Sequence, residues 1–216
     1  MSRFGVVFFD VDSTLVSIEG IDVLAGGNEE VARLTAAAMN GDIPIDDVYR
    51  RRLEILRPSR DQIRDLSTRY VAALLPDAKE VFETLRQRGI DVHLVTAGIE
   101  QAVEPLAKDL GIEPRALHAV RLTFEDDGSY SGFDERSPLT RSGGKEMVVL
   151  DVRARTHGRA ALVGDGVTDL EARDAVDLFI GFGGVTIRDR VRLGSGVYIT
   201  EPRLSAVLPY LLEGDR

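Results

Sequence analysis

The sequence predicts an α/β protein: a doubly wound parallel sheet with a helical cap domain inserted after its first strand. Three observations carry that expectation. An apolar strand near the N-terminus ends directly on carboxylates, the stretch after Pro76 alternates helix and strand signals, and the residues between them show helical periodicity alone.

The first strand lies in Gly5-Val-Val-Phe-Phe-Asp-Val-Asp-Ser-Thr14. Its four consecutive apolar residues, Val6 to Phe9, suit a strand covered on both faces at the centre of a parallel sheet. Ligands bind beyond the carboxyl ends of such strands, which puts Asp10 and Asp12 where chemistry takes place. Surface turns and helix N-caps also use Asp freely, but an apolar strand makes an idle charge pair costly at this point.

From Val16 to Leu75 the apolar residues recur at helical spacing, with Leu24, Val31, Leu34 and Ala38 on one face and Val48, Leu53, Ile55 and Leu56 on another. No strand is expected there. Pro44 and the Arg57-Pro58-Ser59 turn divide the segment, and Ser59 with Gln62 three residues later predicts a capping box. The division that follows is a helical cap over residues 16–75 and a catalytic core over 1–15 and 76–216.

After Pro76 a helix over Ala78 to Arg88 stops at Gly89 and leads into a strand from Asp91 to Thr96. A second helix, Gln101 to Leu110, stops at Gly111 and leads into an extended run from Leu117 to Leu122. Asp127-Gly128, within Thr123 to Tyr130, marks a hairpin, read as a second and smaller cap near residues 121–133. A helix from Lys145 to Ala154, a strand from Ala160 to Asp165, a helix from Leu170 to Asp174 and strands near Asp177 to Ile180 and Val197 to Ile199 complete the alternation.

With 216 residues, 44% hydrophobic and 29% charged, the chain has the composition of an ordinary globular protein able to bury a full core. A net charge of −9 disfavours nucleic acid, whose affinity rests on neutralising phosphates, yet leaves room for a small phosphate ligand met by local positive charge. No apolar run approaches the roughly 20 residues of a membrane helix, and the N-terminus turns strand-like too soon for a signal peptide, so a cytoplasmic protein without a membrane partner is expected. There is no cysteine, hence no disulfide, thiolate nucleophile or Cys-ligated zinc, and His93, His118 and His157 lack metal-ligand spacing. Any metal must sit on oxygen. Monomer and homodimer both stay open.

Three predicted strands end in polar residues that converge on one rim: Asp10 and Asp12, then Thr96, then Asp165 with Asp169. Several carboxylates and no softer ligand suit Mg²⁺, which prefers octahedral oxygen coordination and keeps waters and substrate phosphate. Asp165 and Asp169 as plain helix caps, Thr96 as a plain strand end and Lys145 as a solvated lysine are the competing readings.

The order of these elements resembles the haloacid dehalogenase-like phosphatase superfamily over nearly the whole chain. Asp10-Val-Asp-Ser-Thr14 looks like its first motif and Gly164-Asp-Gly-Val-Thr-Asp169 like its last, with Thr96 in the place of the Ser/Thr motif and Lys145 of Ser142-Gly-Gly-Lys145 in that of the lysine motif. Glu19-Gly-Ile-Asp22, Arg52-Leu, Pro58-Ser-Arg60, Gly132-Phe-Asp-Glu135 and Phe179-Ile-Gly-Phe-Gly-Gly184 resemble, more closely, the phosphoserine phosphatase family.

That resemblance implies Mg²⁺-dependent hydrolysis of a small phosphomonoester, O-phospho-L-serine, at the last step of serine biosynthesis. Asp10 would attack phosphorus and become an aspartyl phosphate, and Asp12 would protonate the leaving oxygen and then activate water. Mg²⁺ would be held by Asp10, the Asp12 backbone carbonyl and Asp165, with Asp169 supporting. Thr96 and Lys145 would bind the phosphoryl oxygens; Lys145 is one of three lysines among 27 basic residues. Ala97, Gly98 and Thr168 complete the implied substrate contacts. In the cap, Glu19 would meet the substrate ammonium and Arg52 its carboxylate, with Met39 and Ile45 as apolar wall. The chain departs from the family pattern at Ala97 and Asn40, where Gly is common, so the pocket is tighter there or reads a different group. The rivals are a sister phosphatase or phosphotransferase acting on another small phosphate monoester, and a noncatalytic Mg²⁺-binding receiver-type module, which lacks both a helical insert and an acid at the position of Asp12.

Overall fold

In the computed structural model, which describes residues 4–212, strand β1 (Phe4–Phe9) is buried on both faces as its apolar run requires. The portions of the expected core on residues 1–3 and 213–216 lie outside the described residues. Four helices follow β1: α1 (Gly20–Ala25), α2 (Glu29–Asn40), α3 (Ile45–Leu56) and α4 (Arg60–Ala72). The chain enters and leaves this insert as two paired stems, since Val16 and Leu74 form an antiparallel bridge and Leu75 N–H donates to the Leu15 carbonyl at 2.9 Å. No extended pairing was expected there, because a two-residue bridge leaves no alternation to read.

Ser59 caps α4 by the reciprocal Ser59–Gln62 capping box that the sequence predicts. The buried face of α3 differs from the expected one: it comprises Ile45, Val48, Tyr49, Arg52 and Leu53, while Ile55 and Leu56 are only partly covered. A charged Arg52 takes a core-facing position, which an apolar-periodicity rule does not count.

Helix α5 (Ala78–Gln87) leads through Gly89 to β2 (Asp91–Ile99), and α6 (Glu100–Asp109) leads to β3 (Leu117–Val120). β2 does not stop at Thr96 as predicted. Its pairing with β3 slips between Val95 and Ile99, so Thr96, Ala97 and Gly98 form a bulged segment re-aimed at the rim. The extended run predicted from Leu117 to Leu122 is broken at Arg121: β3 joins the main sheet, whereas β4 (Leu122–Phe124) pairs antiparallel with β5 (Tyr130–Phe133) in a separate hairpin. Gly128, at φ 85°, supplies the left-handed backbone of its turn. The hairpin touches the insert, with Arg60 N–H donating to the Gly128 carbonyl at 2.9 Å and the Tyr49 and Phe133 rings edge to face at 5.3 Å.

Helix α7 (Gly144–Arg153), β6 (Arg159–Gly164), α8 (Val167–Glu171), β7 (Leu178–Phe182), α9 (Asp189–Gly194), β8 (Val197–Ile199) and α10 (Leu208–Leu212) complete the core. The helix expected over Leu170 to Asp174 begins three residues earlier and turns 3-10 from Ala172, because the amide of Gly166 already finds a cap in the Asp169 carboxylate at 3.0 Å. All six main strands run parallel in the order β3-β2-β1-β6-β7-β8. The chain reverses its direction of winding between β1 and β6, and that switch point opens the crevice in which doubly wound sheets bind ligands. Among the described residues no helix is long and apolar enough to cross a membrane.

One half-buried pair sets an acid limit on this sheet. His93 on β2 and His118 on β3 stack at 5.3 Å, their Nδ1 and Nε2 atoms 3.0 Å apart. Burial, and then the facing His93, pushes His118 down from 6.5 to about 4, and burial also lowers His93; Asp91, Arg115, Asp151 and Arg155 are the charged groups around the pair. Both folded values lie below the free value, so the stabilisation is complete above about pH 6.5 and is lost as pH falls towards 4. His118→Gln is therefore expected to lose less melting temperature than the parent between pH 7 and pH 5; parallel melting curves at the two pH values check this.

Candidate active site

Asp10 follows β1 directly, and its amide donates to the Val163 carbonyl of β6 at 3.0 Å, which fixes it at the switch point. The first turn of α7 brings in Lys145, whose buried Nζ lies 2.7 Å from Asp10 Oδ1 and 2.6 Å from Asp169 Oδ1. Asp165, after β6, completes a buried cluster: Asp10, Asp165 and Asp169 each offer an oxygen within 4.8 Å of the others. Within it Asp169 is engaged on both oxygens, Oδ1 by Lys145 and Oδ2 by the Gly166 amide at 3.0 Å. Thr14 Oγ1 donates to Asp165 Oδ1 at 3.3 Å, and Arg188 Nε donates to Asp165 Oδ2 at 2.8 Å.

The electrostatics of the cluster follow from burial and from like charges held close together. Burial, and next the charge of Asp10, raises Asp165 to about 6 and Asp169 to about 8. Burial alone would lower Lys145, but the two carboxylates outweigh it and hold the ammonium charged above its ordinary value. Three buried carboxylates face two cations, and every donor is a hard oxygen, so the residues fit a small divalent cation.

Asp12 points the other way, towards the insert. Its Oδ1 accepts from Gly20 N at 2.7 Å and from the Tyr70 hydroxyl at 2.8 Å, while burial and then the Asp10 charge raise its carboxyl to about 6. Burial, followed by the charge of Asp12, raises the Tyr70 phenol well above its usual value, so it remains a donor. Between Asp12 and the insert, Ser13 adopts a left-handed φ of 52°, held by its amide to the Ile18 carbonyl and its hydroxyl to Glu19 Oε1 at 2.7 Å. Such strain in a residue with a Cβ persists where surrounding bonds over-determine it. Glu19 also accepts from Arg188 Nη2 at 3.1 Å, and burial, then Asp12 and Asp165, pushes its carboxyl well up.

Between sheet and insert lies a cavity of about 660 Å³, its open mouth included. Asp10, Asp12, Glu19, Met39, Arg52, Thr96, Ala97, Gly98, Lys145, Asp165 and Thr168 all line it, so the structure gathers nearly every residue singled out in the sequence. Ile45 and Asp169 are exceptions: buried Ile45 lines a neighbouring crevice with Pro44 and Val167 and does not reach this cavity. Asp169 stands behind Lys145. Arg52 is 4% exposed; its Nη1 donates to Thr35 Oγ1 at 3.3 Å, and its Nε has no partner among the described residues. Burial lowers its pKa, opposed by Tyr49 and the nearby carboxylates.

Sequence reasoning missed Tyr49, Tyr70 and Arg188. Tyr49 lines the cavity and donates to the Ala97 carbonyl at 3.0 Å, tying α3 to the bulge of β2. Only helical spacing marks Tyr49, as core, and no motif marks Tyr70; Arg188 lies just beyond the glycine-rich Gly181–Gly184 stretch, whose proximity to the rim was the one available hint.

A profile of the haloacid dehalogenase-like hydrolases matches residues 7–173. The phosphoserine phosphatase of Mus musculus is 40% identical over 199 residues, covering 90% of this chain and 88% of that protein. The chloroplastic phosphoserine phosphatase of Arabidopsis thaliana is 40% identical over 191 residues, covering 86% of this chain and 65% of the other. A phosphoserine phosphohydrolase-like protein from Francisella tularensis shares the fold, with a TM-score of 0.86 at 24% identity over 98% of this chain and all of that one. A structure described as a phospho-aspartyl intermediate analogue of phosphoserine phosphatase matches with a TM-score of 0.81 at 25% identity, over 97% of this chain and 99% of that one. Profile and sequence identity agree over most of the chain: it belongs to the haloacid dehalogenase-like hydrolases and, among them, to the phosphoserine phosphatase family.

Proposed function

We propose that this chain hydrolyses O-phospho-L-serine to L-serine and phosphate, with the insert acting as a cap over the site. The observation that carries the substrate is Arg52: a buried guanidinium with an unpartnered Nε, lining the cavity that also holds the Asp10 cluster. An unsatisfied buried donor is costly, and a substrate carboxylate would satisfy it by a charge-assisted bond. Glu19 in the same cavity supplies the complementary acceptor for an ammonium. A phosphate ester carrying both groups fits this pairing.

In this reading Asp10 attacks phosphorus, Asp12 gives its proton to the departing serine oxygen and later takes one from water, and Thr96, Gly98 and Lys145 bind the phosphoryl oxygens. Asp10, Asp165 and the Asp12 backbone carbonyl would hold Mg²⁺, with Asp169 supporting, and the ion would neutralise the repulsion between carboxylate and phosphate. Lys145 stays cationic beside Asp10 and meets the same need from the protein side.

Phosphate release from phosphoserine and from phosphoethanolamine, with and without chelator, tests the reading. Phosphoserine is expected to be turned over faster, and chelation to stop both reactions; equal rates on the two esters would defeat the assignment. Arg52→Met is expected to lower kcat/KM on phosphoserine by about 100-fold, the scale for unpairing a buried charged contact, and to shrink the preference over phosphoethanolamine.

A further inference from the structure

Asp12 presents two unlike oxygens. Oδ1 accepts from the Gly20 amide at 2.7 Å and from the Tyr70 hydroxyl at 2.8 Å. None of the described residues donates to Oδ2. That oxygen lies beside the bulge of β2: a Cβ built on Gly98 would be 3.1 Å from Asp12 Oδ2 and equally 3.1 Å from Thr96 Oγ1, so both atoms border the same small space in the cavity. Two donors occupy the lone pairs of Oδ1, which leaves Oδ2 as the oxygen free to carry a proton.

Tyr70 is held firmly in place. It sits in the last turn of α4, is 1% exposed, and directs its hydroxyl at Asp12 over a sequence distance of 58 residues. Gly20 opens α1, and a Cβ there would come within 2.0 Å of the Tyr70 oxygen, so any side chain at position 20 would displace the phenol. Both donors belong to the insert, next to the stems clasped by Val16 and Leu74.

We propose that Tyr70 is a positioning residue for the acid–base step: its hydroxyl, with the Gly20 amide, anchors Asp12 Oδ1 so that the proton is carried and delivered by Oδ2. This rests on the phosphomonoesterase reading above. In the step concerned, an Asp10 oxygen forms a bond to phosphorus as the bond from phosphorus to the serine oxygen breaks. The electron pair stays on the serine oxygen, which takes the proton from Oδ2 and leaves as the alcohol, and Asp12 becomes a carboxylate whose Oδ1 remains anchored.

The test is single-turnover release of the alcohol by Tyr70→Phe from two substrates, phosphoserine, whose alkoxide must be protonated, and p-nitrophenyl phosphate, whose nitrophenolate leaves without a proton. Release of serine is expected to slow about tenfold, the scale of one hydrogen bond, and release of nitrophenol by a much smaller factor. In an Asp12→Asn background, Tyr70→Phe is expected to add no further loss on phosphoserine, since its partner's function is already gone. Equal losses on both substrates, an undiminished rate on phosphoserine, or additive losses in the double variant would each overturn the proposal. Parental turnover of phosphoserine, measured alongside, reports separately on the substrate reading, and the circular dichroism melt of Tyr70→Phe shows that the variant is folded.

Discussion

Asp10→Asn is expected to reduce phosphate release on the order of 10⁴-fold or more, because an amide nitrogen or oxygen cannot form the ester on which the two-step reaction depends. The same substitution removes one of three carboxylates crowded within 4.8 Å, and Lys145 keeps Asp169 as partner at 2.6 Å, so the melting temperature is expected to hold or rise. Lost activity without lost stability separates the nucleophile from a structural residue. Acid quenching during turnover, followed by peptide mass analysis, should find phosphate on the peptide containing residue 10 in the parent and not in the variant. Retention of turnover within tenfold of the parent would remove Asp10 from the role.

Lys145→Met is expected to act on both stability and rate. Lys145 is 4% exposed and stands between Asp10 and Asp169, and removal of one member of such a buried group leaves the carboxylates uncompensated at roughly 3 kcal/mol or more. The melting temperature should fall, and magnesium should restore part of the loss by replacing the missing positive charge. Turnover should fall about 10³-fold, the scale of one lost charged donor to the reacting phosphate. Thermal melts with and without magnesium, paired with phosphate-release assays, check both arms. A variant as stable as the parent with rates within tenfold would show that the ammonium is idle.

The parts of the fold legible from residues are those in which local pattern and burial coincide. β1 reads as central because its apolar run has no polar face, and the Ser59–Gln62 box is a local hydrogen-bond pair that needs no distant partner. Of the elements that were misplaced, β2 depends on a distant partner strand and α8 on a side-chain cap that apolar periodicity does not register. β2 overruns Thr96 because β3 offers pairing as far as Ile99, and α8 begins at Val167 because the Asp169 side chain turns back on the Gly166 amide. Arg52 breaks the apolar count on α3, since a buried charged side chain takes a position on the face that borders the cavity.

The candidate site divides in the same way. Residues carried by short motifs, Asp10, Asp12, Thr96, Lys145, Asp165 and Asp169, could be singled out from their order along the chain, and the structure brings them together. Arg188 and Tyr70 were not, because each acts on a partner more than 20 residues away and neither stands in a pattern.

The amino-acid sequence by itself determined the parallel sheet, the helical insert and the set of carboxylates at the strand ends, because burial periodicity and strand termini are written in neighbouring residues. Only the tertiary structure decided how those carboxylates are shared: Asp169 with Lys145 behind the nucleophile, Asp165 and Glu19 bridged by Arg188, and Asp12 turned towards Gly20 and Tyr70. The reason is that a carboxylate's role depends on which donors reach each of its oxygens, and those donors arrive from helices distant in the chain.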